Sequence, residues 1–360
     1  MKRFVEYLAE AIGDGPRIPH PEDAIFLGSD EAMQAALALE EIVNNPSSGT
    51  IKWDGGIALY FGNNERGEFF ITDKYMPAKG VYPTSPDGWR EYDANRGANR
   101  TDLYAKIDAI WDGLKRNVGN SPGVFKGDLM AINPTGLKSE NGVFVFSPTT
   151  VKYTVPENSY IGRLLQNKVA LIVVHEYDGA PWDGKSAMTN RSNVAVISPN
   201  ADNSFELPNK NALISIVRKA ITTISRYGAA SDKFINSLDN VARKLIAQYL
   251  NHVRTKQTTD DLPTWLEQNS NKKQYNNLIG VDGNGYLPQN RDGLMALNAI
   301  WKSIFDAKIA LVNAFENQVR GFKQETIAGP GGEGIVFPTS KGLIKLINPN
   351  FGIAHFSKEH

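Results

Sequence analysis

Lys52-Trp53-Asp54-Gly55-Gly56 sets an amine, a carboxylate and two glycines side by side, between the small-polar loop Pro46-Ser47-Ser48-Gly49 and the apolar run Ile57-Ala58-Leu59-Tyr60-Phe61. The chemistry this permits is nucleophilic attack on a phosphate. Glycines let the main chain approach phosphate oxygens, and a following strand holds the lysine side chain in place. The amine must be neutral to attack, so nearby cations or partial burial have to favour loss of its proton. The same residues also suit a surface lysine beside an Asp-Gly hairpin turn, which is the commoner use of such a spacing. What accompanies the lysine along the chain decides between the two.

The elements around the lysine are readable from periodicity. Ser29 precedes the pattern Met33, Ala36, Leu37, Leu39, Ile42, Val43, which stops at Asn44-Asn45-Pro46 and predicts a capped helix leading into the lysine strand. Strands are expected over 57–61 and 68–72, joined through Asn63–Gly67 as a hairpin with Lys52 at its entrance. A Pro/Gly-rich loop over 77–100 leads to an amphipathic helix with Leu103, Ile107, Ile110, Trp111 and Leu114 on one face. Strands at 124–132, 142–146 and 151–155, a short helix near 159–167 and a buried strand at 169–177 follow, so the pattern is α+β. After Pro208 long helical periods take over, at 212–226, 232–256 and 293–320. Gly329-Pro330-Gly331-Gly332 then returns the chain to two short strands, 334–337 and 342–347.

With 360 residues the chain accommodates two units, or one domain with a large insertion. The longest apolar run, Val169–Val174, is too short to span a bilayer, and the N-terminus lacks the apolar core of a secretory signal. A soluble, cytoplasmic chain without a membrane partner is expected. The absence of cysteine excludes disulfides, thiolate metal sites and a cysteine nucleophile. His20, His175, His252, His355 and His360 show no metal-ligand spacing, so no zinc site is expected. Formal charge is zero but unevenly spread: Lys210, Arg218, Lys219, Arg226, Lys233, Arg243, Lys244, Arg254 and Lys256 are opposed only by Asp232 and Asp239. That stretch predicts a phosphate-facing surface, the alternative being a solvated helix face.

Behind Lys52 come, in order, Gly127-Asp128-Leu129-Met130, Val173-Val174-His175-Glu176-Tyr177, Glu333-Gly334-Ile335-Val336 and Lys345-Leu346. In this order the chain resembles the covalent nucleotidyltransferase superfamily of ATP-dependent DNA ligases, RNA ligases and mRNA capping enzymes, over Thr50–Leu346 apart from the helical block. The His20-Pro21-Glu22-Asp23 segment is similar to one in ligase-like proteins of large tailed phages, which implies a phage-infected bacterial host. The resemblance implies a ligase adenylation fold of mainly antiparallel sheets flanked by helices. That domain would comprise 1–208 and 329–360, with 209–328 as a helical, nucleic-acid-binding insertion and no C-terminal oligonucleotide-binding (OB) barrel.

The resemblance also assigns roles. Lys52 becomes the nucleophile that takes AMP from ATP, with Ile51, Asp54, Gly55 and Lys74 around the nucleotide. Asp128 would contact the ribose or Mg²⁺, and Glu333 would hold Mg²⁺, whose preference is for oxygen ligands that bridge phosphates. His175 would stack on adenine, with Tyr177 expected on the same strand face. Lys345, and less directly Lys341 and Lys74, would lower the cost of a neutral Lys52 and stabilise the phosphates. Asp54 would orient the turn, while Trp53 points to the core.

The implied function is a monomeric ATP- and Mg²⁺-dependent DNA ligase active in DNA repair. It would seal 3′-hydroxyl/5′-phosphate nicks in duplex DNA or a DNA/RNA hybrid through a lysyl-AMP intermediate. Lys219, Arg226, Arg243 and Lys244 would hold the duplex. Two alternatives stand beside it: an RNA ligase joining RNA ends, and a noncatalytic nucleic-acid-binding or virion protein on the same fold. Departures from the family pattern are Thr50 for an acid, Ile57 for an arginine, Asp128 for a glutamate and Ile347 for a second lysine.

Overall fold

A computed structural model describes residues 20–356, apart from 202, 204, 257–260 and 281. The N-terminal segment read for a secretory core, His360, and the side chains of Lys256 and His355 lie outside the described residues. The chain is α+β and divides into two units, one built from Ile51–Asn203 with Val319–Thr326, the other from Ile18–Thr50, Ser204–Gln318 and Ile327–His360. This division differs from the expected one, which set 209–328 apart from the rest. The Ser29–Asn44 helix and the C-terminal hairpin group with the long helices because their apolar faces pack there.

In the first unit the strands run, in chain order, β1 (Thr50–Lys52), β2 (Ile57–Asn63), β3 (Phe69–Thr72), β4 (Gly123–Ile132), β5 (Ser139–Glu140), β6 (Val143–Phe146), β7 (Lys152–Pro156), β8 (Ala170–Tyr177), β9 (Ala180–Pro181), β10 (Val194–Ile197) and β11 (Lys323–Thr326). The main sheet has the order β10-β8-β4-β2-β3, antiparallel except for the parallel β10–β8 pair, with β9 on β8. Alternation sorts its residues. Leu59, Phe61, Phe125, Leu129, Ile172 and Val174 enter one core with Trp89, Ile107, Ile110, Trp111 and Leu114. Asp128, Lys126 and Tyr60 point the other way, to a face that is partly open at Asp128 and Lys126 and closed over Tyr60, which is 2 % exposed. β8 is buried on both faces over Ala170–Val174, which accounts for its unbroken apolar run.

The Thr101–Val118 helix sits close on β10 because Gly113 has no side chain; a Cβ there would lie 2.5 Å from Val194 Cγ2. Asn117 secures the contact by donating to the Val194 carbonyl at 2.9 Å and accepting the Ser192 N–H at 3.1 Å. The expected loop over 77–100 contains a helix, Pro86–Asn95. Its proline stands in the first turn, where no intrahelical donor is needed, and Ser85 caps it through the Gly88 N–H. β11, β7, β6 and β5 pair antiparallel in that order. Tyr153 of β7 carries Trp53 stacked at 5.0 Å, and Phe322 covers Trp53 at 4.4 Å.

The second unit is mainly helical. The Lys210–Ser237 helix is continuous where a break after Arg226 was expected, and it crosses the Ser29–Asn44 helix at Gly228, against Ser29. Ser29 was expected to cap its own helix. Instead its N–H and hydroxyl both donate to Asp232, at 2.7 and 2.6 Å, so the cap comes from the crossing helix. The chain breaks at Leu238 before the Asn240–Lys256 helix. Short helices Leu262–Asn269, Lys272–Leu278 and Tyr286–Gln289 precede the long Arg291–Glu316 helix. After β12 (Gly329–Pro330), β13 (Gly334–Thr339) and β14 (Gly342–Ile347) form the expected antiparallel hairpin. Among the described residues no helix is long and apolar enough to cross a membrane.

Candidate functional site

Three segments expected to act together meet in the first unit. Lys52 ends β1, half-buried, between Ile51 and Trp53, which are 1 % and 2 % exposed. Two bonds fix this stretch: the Ile51 N–H donates to Asn200 Oδ1 at 2.9 Å, and Trp53 Nε1 donates to the Pro199 carbonyl at 2.9 Å. Trp53 is core, as its alternation predicts. The Asp54 N–H then donates to Tyr153 Oη at 2.8 Å, and the Asp54 carboxylate accepts from the Thr149 and Thr150 hydroxyls. Asp54 therefore ties the turn to the segment before β7. Sequence reasoning missed Thr149 and Tyr153, because neither belongs to a recognisable spacing.

Gly55 lies directly on β4. A Cβ at this position would overlap the Cβ of Asp128 and come within 3.2 Å of Met130 Sδ. The glycine is thus required by close approach. Asp128 in turn binds His175, Nε2 to Oδ2 at 2.9 Å, with both side chains 24 % exposed. Lys74 is exposed and sits over the Tyr75 ring, 4.9 Å from its centroid.

Tyr177 does not share the face of His175, contrary to the simple alternation expected. The β4–β8 register slips between Lys126 and Gly127, so β8 bulges there. His175 and Glu176 both reach the open face, to Asp128 and Lys126, while Tyr177 turns into the core and stacks on Phe125 at 4.6 Å. The bulge hid Glu176 from a period-two reading. Lys126 was legible, two residues before Asp128 on one strand, but was not singled out. A cleft of about 630 Å³ opens beyond Gly56 and Ile57, lined also by Met130, Phe144, Lys106 and Lys138.

Glu333, Lys345 and the expected nucleic-acid residues belong to the second unit. Glu333 is half-buried at the entrance to β13, and its carbonyl accepts the Asn348 N–H at 3.1 Å. Gly334 follows with φ +139°, where a Cβ would strike the Leu346 carbonyl. Lys345 faces Val336 across the hairpin and is also half-buried. Lys219, Arg226 and Lys244 are exposed, with Arg226 over the Tyr227 ring. Arg243 is not: it is half-buried, and its NH2 group donates to the Ile235 carbonyl at 2.9 Å, closing the preceding helix. Its side chain serves the fold.

Arg254 likewise leaves the basic surface. It is 11 % exposed and bonds Glu22 at 3.1 Å and Asp23 at 2.9 Å. Glu22 also pairs with Lys308; both are buried. Burial alone would raise the Glu22 pKa, but Lys308 and Arg254 outweigh it and hold the carboxyl at about 2. His20, beside them, is pushed down to about 3 by burial and by the cations Arg254, Lys308 and Lys345. The His20–Asp23 segment is thus the hub of a buried charge network.

Among the described residues no group of three His, Asp or Glu side chains is placed to hold a metal ion. Single carboxylates such as Glu333 and Asp128 are nonetheless hard oxygen donors of the kind magnesium takes one or two at a time, with phosphate oxygens and water completing its shell.

The fold and site define an α+β chain with a lysine–glycine segment seated on a carboxylate–imidazole pair. It belongs to DUF6267, a family of unknown function whose model matches residues 17–359. No characterised protein and no solved structure matches it significantly.

Proposed function

We propose that the chain is a lysine-nucleophile nucleotidyltransferase, an ATP-dependent polynucleotide ligase acting on nicked DNA or a DNA/RNA hybrid. The observation that supports this reading is the seating of Gly55, three residues after Lys52, on Asp128 beside His175, which joins three segments far apart in sequence. In the first step Lys52 Nζ attacks the α-phosphorus of ATP and pyrophosphate leaves. AMP then passes to a 5′-phosphate, and a 3′-hydroxyl displaces it to form the phosphodiester.

The chain's own residues supply positioning. The glycine-bent turn admits the α-phosphate close to backbone, and the Asp128 carboxylate accepts a ribose hydroxyl while His175 holds its orientation. The cleft beyond Gly56 offers room for the end of the acceptor strand. Asp128 and Glu333, each within its own unit, are single carboxylates of the kind that would hold Mg²⁺, which would neutralise phosphate charge.

The test is incubation with α-labelled ATP. A protein-bound label that pyrophosphate removes, present in the wild type and absent in Lys52→Ala, is the expected result. No adduct in the wild type refutes both ligase readings and leaves the noncatalytic one. Splinted nicks with DNA or RNA on each side then separate DNA sealing from RNA joining.

A further inference from the structure

The open face of the main sheet carries a second polar pair, one step beyond Asp128. Lys126 precedes Asp128 by two residues on β4, so the two side chains share a face about 7 Å apart. Opposite Lys126 stand Tyr60 on β2 and Glu176 on β8. Lys126 Nζ lies 3.2 Å from Glu176 Oε1, with both side chains 33 % exposed, and 6.0 Å from the Tyr60 ring centroid. Burial works against the Lys126 charge, but Tyr60, Glu176 and Asp128 outweigh it and raise its pKa. The face therefore presents, in order, Gly55, the Asp128–His175 pair, and a fixed cation beside a carboxylate.

We propose that the Lys126–Glu176 pair reads the base edge of the nucleotide bound at Lys52 and selects adenine over guanine; this rests on the nucleotide-binding part of the nucleotidyltransferase reading, not on the transfer step. A nucleotide laid along β4 with its α-phosphate at Gly55 puts its ribose over Asp128 and its base at this pair. The order matches, because base and α-phosphate lie at opposite ends of the ribose. Adenine offers an amino donor at position 6 to Glu176 and an acceptor at N1 to Lys126. Guanine in the same pose turns O6 to the carboxylate and N1–H to the ammonium. Both contacts are then repulsive, so one ordered donor–acceptor pair serves only one of the two purines.

Equilibrium titration of ATP and GTP into Lys52→Met protein tests this without covalent chemistry. ATP is expected to bind about 10- to 100-fold tighter than GTP, the range set by charged hydrogen bonds gained against lost. Exchanging the pair, Lys126→Glu with Glu176→Lys, keeps the ion pair but reverses donor and acceptor, and is expected to invert the preference. Glu176→Gln, whose amide both donates and accepts, should bring the two affinities together and serves if the double variant fails to fold. Equal affinities, no binding of either nucleotide, or a preference unchanged by both variants overturns the proposal. The adduct assay on wild type reports separately on the transferase reading: selective binding without an adduct sinks that reading and leaves the base-edge pair standing.

Discussion

Replacing His20 by glutamine should flatten the acid limb of the protein's stability curve. In the native second unit the imidazole faces Arg254 from the Asn240–Lys256 helix, Lys308 from the Arg291–Glu316 helix, Lys345 from β14, and Glu22 within its own segment. Burial comes first and these cations add to it, so its pKa falls from 6.5 to about 3. A folded-state pKa below the unfolded one means that the unfolded chain takes up a proton, between these values, that the native chain refuses. Stability from this residue is therefore complete above pH 6.5 and is lost as the pH falls, at up to about 1.4 kcal/mol per unit. Between pH 8 and pH 5 the loss amounts to about 2 kcal/mol, a large fraction of ordinary domain stability.

Urea unfolding followed by far-ultraviolet circular dichroism at pH 8, 7, 6 and 5 measures it. Glu22, whose pKa His20 helps to set, is held at about 2 and stays ionised over this range, so the difference between the two slopes reports on His20. The variant should lose about 2 kcal/mol less than wild type over this range, whatever its stability at pH 8. Parallel pH profiles would refute the buried-neutral assignment.

Three further outcomes follow from the same contacts. Gly55→Ala should abolish the lysine adduct while leaving the circular dichroism spectrum intact, since the new Cβ meets Asp128 and lifts the turn away from β4; an unchanged adduct yield would show that the close approach is not needed. Lys308→Met should cost about 3–5 kcal/mol by leaving Glu22 charged, buried and short of a partner, and Glu22→Leu in the same chain should recover much of it, as read from a denaturation cycle. Neutralising exposed Lys219, Arg226 and Lys244 together should lower nicked-duplex affinity and flatten its dependence on salt, whereas Arg243→Gln should instead show as lost stability; an unaltered salt slope would remove the helices from the interface.

Which parts of this were readable from sequence follows from what each signal encodes. The β2–β3 and β13–β14 hairpins and the Thr101–Val118 helix were legible because burial on one face writes a period of 2 or 3.6 directly into residue type. Signals that depend on a partner elsewhere were not. Gly228 reads as a helix breaker until Ser29 is seen against it, and Pro86 reads as loop until Ser85 caps the turn it opens. Arg254 counts as surface charge in a linear tally, yet its partner Glu22 lies 232 residues away. The β8 bulge is the sharpest case. Alternation assigns His175 and Tyr177 to one face and Glu176 to the other, and the residue types suit either parity. One slipped residue reverses that parity beyond His175, sends Tyr177 to Phe125, and brings Glu176 beside Lys126. The motifs could therefore point to Lys52 and Asp128, but the polar pair beyond them exists only because the register slips. Any change that restores regular pairing to β8 should separate Glu176 from Lys126 while leaving every motif residue in place.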